Sequence, residues 1–181
     1  RDSENGPEQH ELWVDVGAES KERVMNDYHI LPGNLITFDA QFKTVGDYYV
    51  GRSLDNKIGG YIIAEVARRL SNEMVNLPYN LKIVNSVQEE VGLYGARLVA
   101  QRLKADLALV HDVCHNTNHP MMNKAKDGDV KGGKGPAIEF TAQNHRKINS
   151  KFTGIAKVNN IPLQRAVGSY GNDTMAFFLE N

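Results

Sequence analysis

The chain has 181 residues, with 21 Lys and Arg against 22 Asp and Glu, a formal net charge of -1, and 41% hydrophobic residues. That is an ordinary globular composition with enough apolar material for a packed core, which excludes a disordered, collagen-like or disulfide-stapled chain. Scattered basic residues at near-zero net charge offer no field for collecting nucleic acid or anionic membrane, and no run of about 18 apolar residues is present to span a bilayer. The single Cys114 has no internal disulfide partner and the first thirty residues lack the apolar run of a signal peptide, so the expected compartment is the cytoplasm.

In chain order, Leu12 to Val16, the run SKERVMND and the run LPGNLITFD contain a Pro32-Gly33 turn and no long helix. Residues 1–46 are therefore expected to be part of a small β-rich module joined to the next domain near Gly46. Tyr48 to Gly51 is β-prone. Ile58, Ile62, Ile63, Val66 and Leu70 fall on one helical face, which predicts a helix over Asn56–Leu70. Leu81, Ile83, Val84 and Val87 predict a strand, Ala96–Leu103 a helix, and Ala105–Val113 a strand of almost unbroken apolar character, as a centrally placed strand has. After a loop rich in Lys, Gly and Asp (Lys124–Gly135), Ala137–Phe140 reads as a strand, His145–Val158 as a helix and Ile161–Val167 as a return to the sheet. The alternation predicts an α/β domain over residues 47–181, a mixed and largely parallel sheet sandwiched by helices.

Active crevices of α/β sheets lie beyond the carboxyl ends of the strands. Asp55 follows the first such end, Glu89 and Glu90 the second, and Asp112 closes the third. Each has a plain structural role open to it: an N-cap for Asp55, a helix start for the Glu pair, a turn for Asp112. Together they deliver four carboxylates to one rim, a repulsive arrangement that cations relieve. A dinuclear centre fits: one carboxylate bridges two divalent ions, others fill their shells, and the ions generate a hydroxide. Neighbours on an extended segment point in opposite directions, so one of Glu89 and Glu90 can bind metal while the other stands free as a general base. His111, His115 and His119 are spaced by four and would align on a helix, but Pro120 and Asn116-Thr117-Asn118 favour a strand leaving into a loop. The KGGKGP run has three glycines without the spacing of a phosphate-binding loop and reads as a tight turn.

At these residues the sequence resembles the glutamyl aminopeptidase family, which includes the tetrahedral aminopeptidases and proteins labelled endoglucanase M. SLDNKIGG (Ser53–Gly60), VQEEVGLYGAR (Val87–Arg97), HDVCHNTNHP (His111–Pro120), GGKGPAI (Gly132–Ile138) and GNDTMAF (Gly171–Phe177) carry the resemblance over nearly the whole chain. It implies a metal-dependent aminopeptidase that releases N-terminal residues from peptides through a hydroxide bridging two Zn or Co ions. Asp55 would be the bridging ligand, Glu89 the general base, Glu90 a ligand of one ion and Asp112 of the other, with Asp173 lining the substrate site. It further implies a zinc-peptidase-like fold, a segment from a small β-barrel inserted domain over residues 1–46, and a homo-oligomer. Family members carry one metal-binding His before the inserted domain and another near the carboxyl terminus, and neither region has a counterpart here, which makes the chain resemble an internal fragment. Asn56 stands where Asp is commoner, as in the aspartyl aminopeptidases, whereas the Gly92-Leu93 pair after Val91 favours the glutamyl family. A glycosidase also uses paired carboxylates, but Glu89 and Glu90 are sequence neighbours rather than residues flanking a sugar cleft. A non-catalytic piece with an assembly role is the remaining alternative.

Overall fold

The computed structural model describes residues 6–168 and 171–180. The chain divides into two compact units, Arg1–Gln41 and Phe42–Asn181. In the first, a short helix α1 (Lys21–Asn26) is capped by Ser20, whose hydroxyl accepts from the Arg23 amide at 3.3 Å, and is braced by an Arg23–Asp27 ion pair at 3.0 Å. Gly33 turns the chain at φ +96°, with the Asn34 side chain accepting from the Leu31 amide at 2.6 Å. The expected β-rich character is not found: residues 6–41 contain no strand. Leu12, Trp13, Leu35, Ile36 and Phe38 are all exposed, so among the described residues nothing pairs with or covers the apolar runs that would make strands.

The second unit opens with a hairpin, β1 (Lys43–Val45) against β2 (Tyr48–Val50), antiparallel with Lys43 opposite Val50. Gly46 is therefore the turn of a hairpin rather than a linker; its φ of +57° is the left-handed conformation a two-residue hairpin turn requires. Phe42 stacks on Tyr49 with ring centroids 5.5 Å apart. Helix α2 (Leu54–Asn72) covers the predicted Asn56–Leu70, with non-helical backbone at Asp55 and Asn56 and a cis Asp55–Asn56 peptide. Helix α3 (Tyr94–Leu103) follows, then a one-turn helix α4 (Lys124–Asp127).

Strand β3 (Ala137–Glu139), helix α5 (Arg146–Val158) and strand β4 (Gln164–Ala166) form a parallel β-α-β unit with Ile138 opposite Arg165. Gly135, at φ +92°, abuts the Pro162 carbonyl where a side chain would not fit. Helix α6 (Asp173–Glu180) packs across α3, burying Leu93, Ala96 and Ala176 with Met175 and Phe177 against them. No helix among the described residues is long and apolar enough to cross a membrane.

The α/β alternation is present, but the strands expected at Leu81–Val87 and Ala105–Val113 are not: among the described residues both segments run without a ladder partner, and the sheets are two separate two-stranded pairs. Leu81, Ile83, Val87, Leu107 and Leu109 are exposed. A strand apolar on both faces is stable only between neighbours and under helices on both sides, and the described residues supply neither for these two.

Candidate functional site

Asp55 sits in the kink at the start of α2. The capping role open to it is taken instead by Asn56, whose Oδ1 accepts from the Gly59 amide at 2.8 Å while its Nδ2 donates to the His111 carbonyl at 2.7 Å. One side chain thus starts the regular part of α2 and ties it to the segment that carries Asp112. Gly59 is buried against the Asn56 amide, and a Cβ there would collide with it. Asp112 holds the amide of its own neighbour Val113 at 2.8 Å.

Glu89 and Glu90 lie in a turn rather than on the expected extended segment, with positive φ at Gln88, Gly92 and Leu93. They still face different surroundings: Glu89 is half-buried and Glu90 exposed. The Glu89 carbonyl accepts from the amides of Gly92 and Leu93, both at 3.1 Å, and α3 begins immediately after. Gly95 donates to the Val87 carbonyl at 3.0 Å in a contact so close that any Cβ would overlap the Val87 backbone. Asp173, the first residue of α6, accepts from the Ser86 hydroxyl through Oδ2.

These elements gather five carboxylates. Burial pushes the Glu89 carboxyl above its ordinary range, and the charges of Asp112, Glu90, Asp173 and Asp55 push it further. Asp112 is raised by desolvation, against the pull of the Val113 amide, and then by Asp55, Asp173 and Glu90. Its residue surface is open, yet the carboxyl is crowded by enough protein to be partly desolvated. Glu89 and Asp112 thus each feel the charges of Asp55, Glu90 and Asp173. Among the described residues, however, no three His, Cys, Asp or Glu side chains converge closely enough to hold one metal ion. His111, His115 and His119 do not share a helix; His119 Nδ1 instead accepts from the Met121 amide at 3.2 Å. The Cys114 thiol is pushed up by desolvation and then by the charges of Glu139 and Asp112.

Sequence reasoning missed Ser86, Asn172 and Glu139. Asn172 Oδ1 accepts from the Thr174 amide at 3.0 Å, and its Nδ2 donates to Glu139 Oε2 at 3.1 Å. Asn172 before the apolar run MAFFL is a legible N-cap signal. The pairing of Ser86 with Asp173, 87 residues away, had no such signal.

A family model described as M42 glutamyl aminopeptidase matches residues 1–181. The Escherichia coli (strain K12) protein FrvX is 34% identical over 158 residues, covering 85% of this chain and 43% of that one. A TET aminopeptidase from the marine sediment archaeon Thaumarchaeota archaeon SCGC AB-539-E09 superposes with a TM-score of 0.71 at 26% identity, over 78% of this chain and 41% of that one. The Pyrococcus horikoshii TET1 peptidase, described as assembling into a tetrahedron or a large octahedral shell, gives a TM-score of 0.67 at 29% identity over 90% and 48%. The chain thus spans less than half the length of each of these proteins.

Proposed function

The chain belongs to the M42 glutamyl aminopeptidase family, and from that premise we propose that the complete protein is a metal-dependent aminopeptidase that releases N-terminal residues from peptides. The observation that carries this reading is the placement of Glu89 and Asp112 among carboxylates: desolvation raises each, and the charges of Asp55, Glu90 and Asp173 raise each further. The donor chemistry fits a divalent ion: carboxylate oxygens suit Zn and Co, and cations relieve the repulsion. Asp55, Glu90 and Asp112 would hold such ions, with further ligands coming from outside the described residues. When bound, the ions would polarise the scissile carbonyl and acidify a water.

Glu89 does the proton work. Its half-buried carboxylate takes a proton from the attacking water and returns it to the leaving amine as the C–N bond breaks. Desolvation and neighbouring negative charge make it a stronger base than a solvated Glu, which suits that task. Asp173 stands beside this centre as a wall of the substrate site. A cytoplasmic location and a homo-oligomeric state are proposed with it; the assembly of the TET1 peptidase supports the second point. The parallel sheet sandwiched by helices and the barrel-like inserted domain are likewise proposed for the complete protein, supported by the likeness to the TET aminopeptidase fold.

The test is hydrolysis of an aminoacyl-anilide by the complete open reading frame. Activity abolished by chelation and restored by Zn or Co, with none on cellulose, is the expected result; chelator-insensitive or absent hydrolysis would refute the reading.

A further inference from the structure

The turn that carries Glu89 depends on anchors outside itself. Gln88, Gly92 and Leu93 all have positive φ, and left-handed backbone costs a non-glycine residue about 1 kcal/mol or more, so the turn needs tertiary contacts to keep its shape. One set comes from the start of α3, where Tyr94 and Gly95 donate to the carbonyls of Gln88 and Val87 at 3.3 and 3.0 Å. The other comes from α6. The Ser86 hydroxyl donates to Asp173 Oδ2. Asp173 Oδ1 is fully enclosed and has no hydrogen-bond partner among the described residues, so the carboxylate is held through Oδ2, and there by Ser86.

The α6 end of that bond is itself fixed. Asn172 caps the helix and donates to Glu139 Oε2 on β3, while the Glu139 carbonyl accepts from the buried Asn149 of α5 at 2.7 Å. Ala176, Met175 and Phe177 seat α6 on Leu93 and Ala96, immediately after the turn. A line of hydrogen bonds therefore runs from the β3-α5 unit through the N-terminus of α6 to the residue three before Glu89.

We propose that Ser86 is a positioning residue: by donating to Asp173 it clamps the turn bearing Glu89 against the start of α6. Its kinetic consequence rests on the aminopeptidase reading above, whereas the clamp itself does not. A general base works only when held within a fraction of an ångström of its proton, and a hydrogen bond to a carboxylate has the strength to hold such a turn.

The experiment uses the complete protein with Ser86→Ala and Ser86→Thr, measured by amide hydrogen exchange and by kcat and KM on an aminoacyl-anilide. Exchange at Gly92, Leu93, Tyr94 and Gly95 should rise about tenfold in Ser86→Ala, the worth of one charge-assisted hydrogen bond, and fall back in Ser86→Thr, while α5 amides stay unchanged. kcat should fall about tenfold with KM within about twofold, and Thr should recover most of it. Unchanged exchange in the turn, a rise spread equally over α3 and α5, or an unaltered kcat would each overturn the proposal. A wild type without chelator-sensitive hydrolysis would refute the aminopeptidase reading instead, with the exchange data still deciding the clamp.

Discussion

At the scale of single residues, the site is built by side chains that are not themselves chemical. Asn56 both caps α2 and holds the His111 carbonyl, so Asn56→Ala removes a cap and leaves a carbonyl unpaired. About 1–3 kcal/mol of stability should go with it; a melting shift smaller than that of an exposed Asn→Ala control such as Asn72→Ala would contradict the assignment. On the same helix, Glu65 accepts from Arg68 and Arg69, and these two guanidinium groups lower its pKa to about 2. Because the folded value lies below the unfolded one of 4.5, its contribution is present above that pH and is lost as pH falls toward about 2. A carbon-13 titration of the Glu65 carboxyl should show it ionised at pH 3.5; a midpoint near 4.5 would show that the ion pairs do not persist in solution. The candidate residues Asp55, Glu89, Glu90, Asp112 and Asp173 could be named from the sequence because each stands in a specific motif. The roles of Ser86 and Glu139 could not, because each exists only through a partner 87 or 33 residues distant.

At the scale of elements, α2, α3, α5 and the β3-β4 pair were legible, since local periodicity and short range are enough to specify them. The β1-β2 hairpin carried a legible Gly46-Asp47 turn signal between Lys43-Thr44-Val45 and Tyr48-Tyr49-Val50, overridden by reading Gly46 as a boundary. The segments 81–87 and 105–113 have the apolar pattern of central strands but no ladder, and a strand, unlike a helix, draws its hydrogen bonds from elsewhere in the chain. Helix α3 depends on the close approach of Gly95 to Val87. Gly95→Ala should therefore push α3 off the Glu89 turn, lowering stability by about 1–3 kcal/mol and reducing turnover; wild-type melting and activity would show that the contact is looser than drawn.

At the scale of the whole molecule, the segments 81–87 and 105–113 leave apolar side chains uncovered. Leu81, Ile83, Leu107 and Leu109 face solvent where central strands would be covered. The 181-residue chain by itself should associate on this surface and bind little metal, because no three of its described ligand-type side chains converge on one point. A monodisperse monomer holding two tightly bound ions would contradict both expectations. The account's central claim is that Glu89 and its neighbour Glu90 divide the labour of base and ligand. It is tested most directly by Glu89→Gln and Glu90→Gln in the complete protein, with bound metal and aminoacyl-anilide turnover measured on the same samples. Glu89→Gln should keep its metal and lose turnover by a factor of about 100 or more, while Glu90→Gln loses metal as well; equal metal loss in the two variants, or full turnover in Glu89→Gln, would contradict the account.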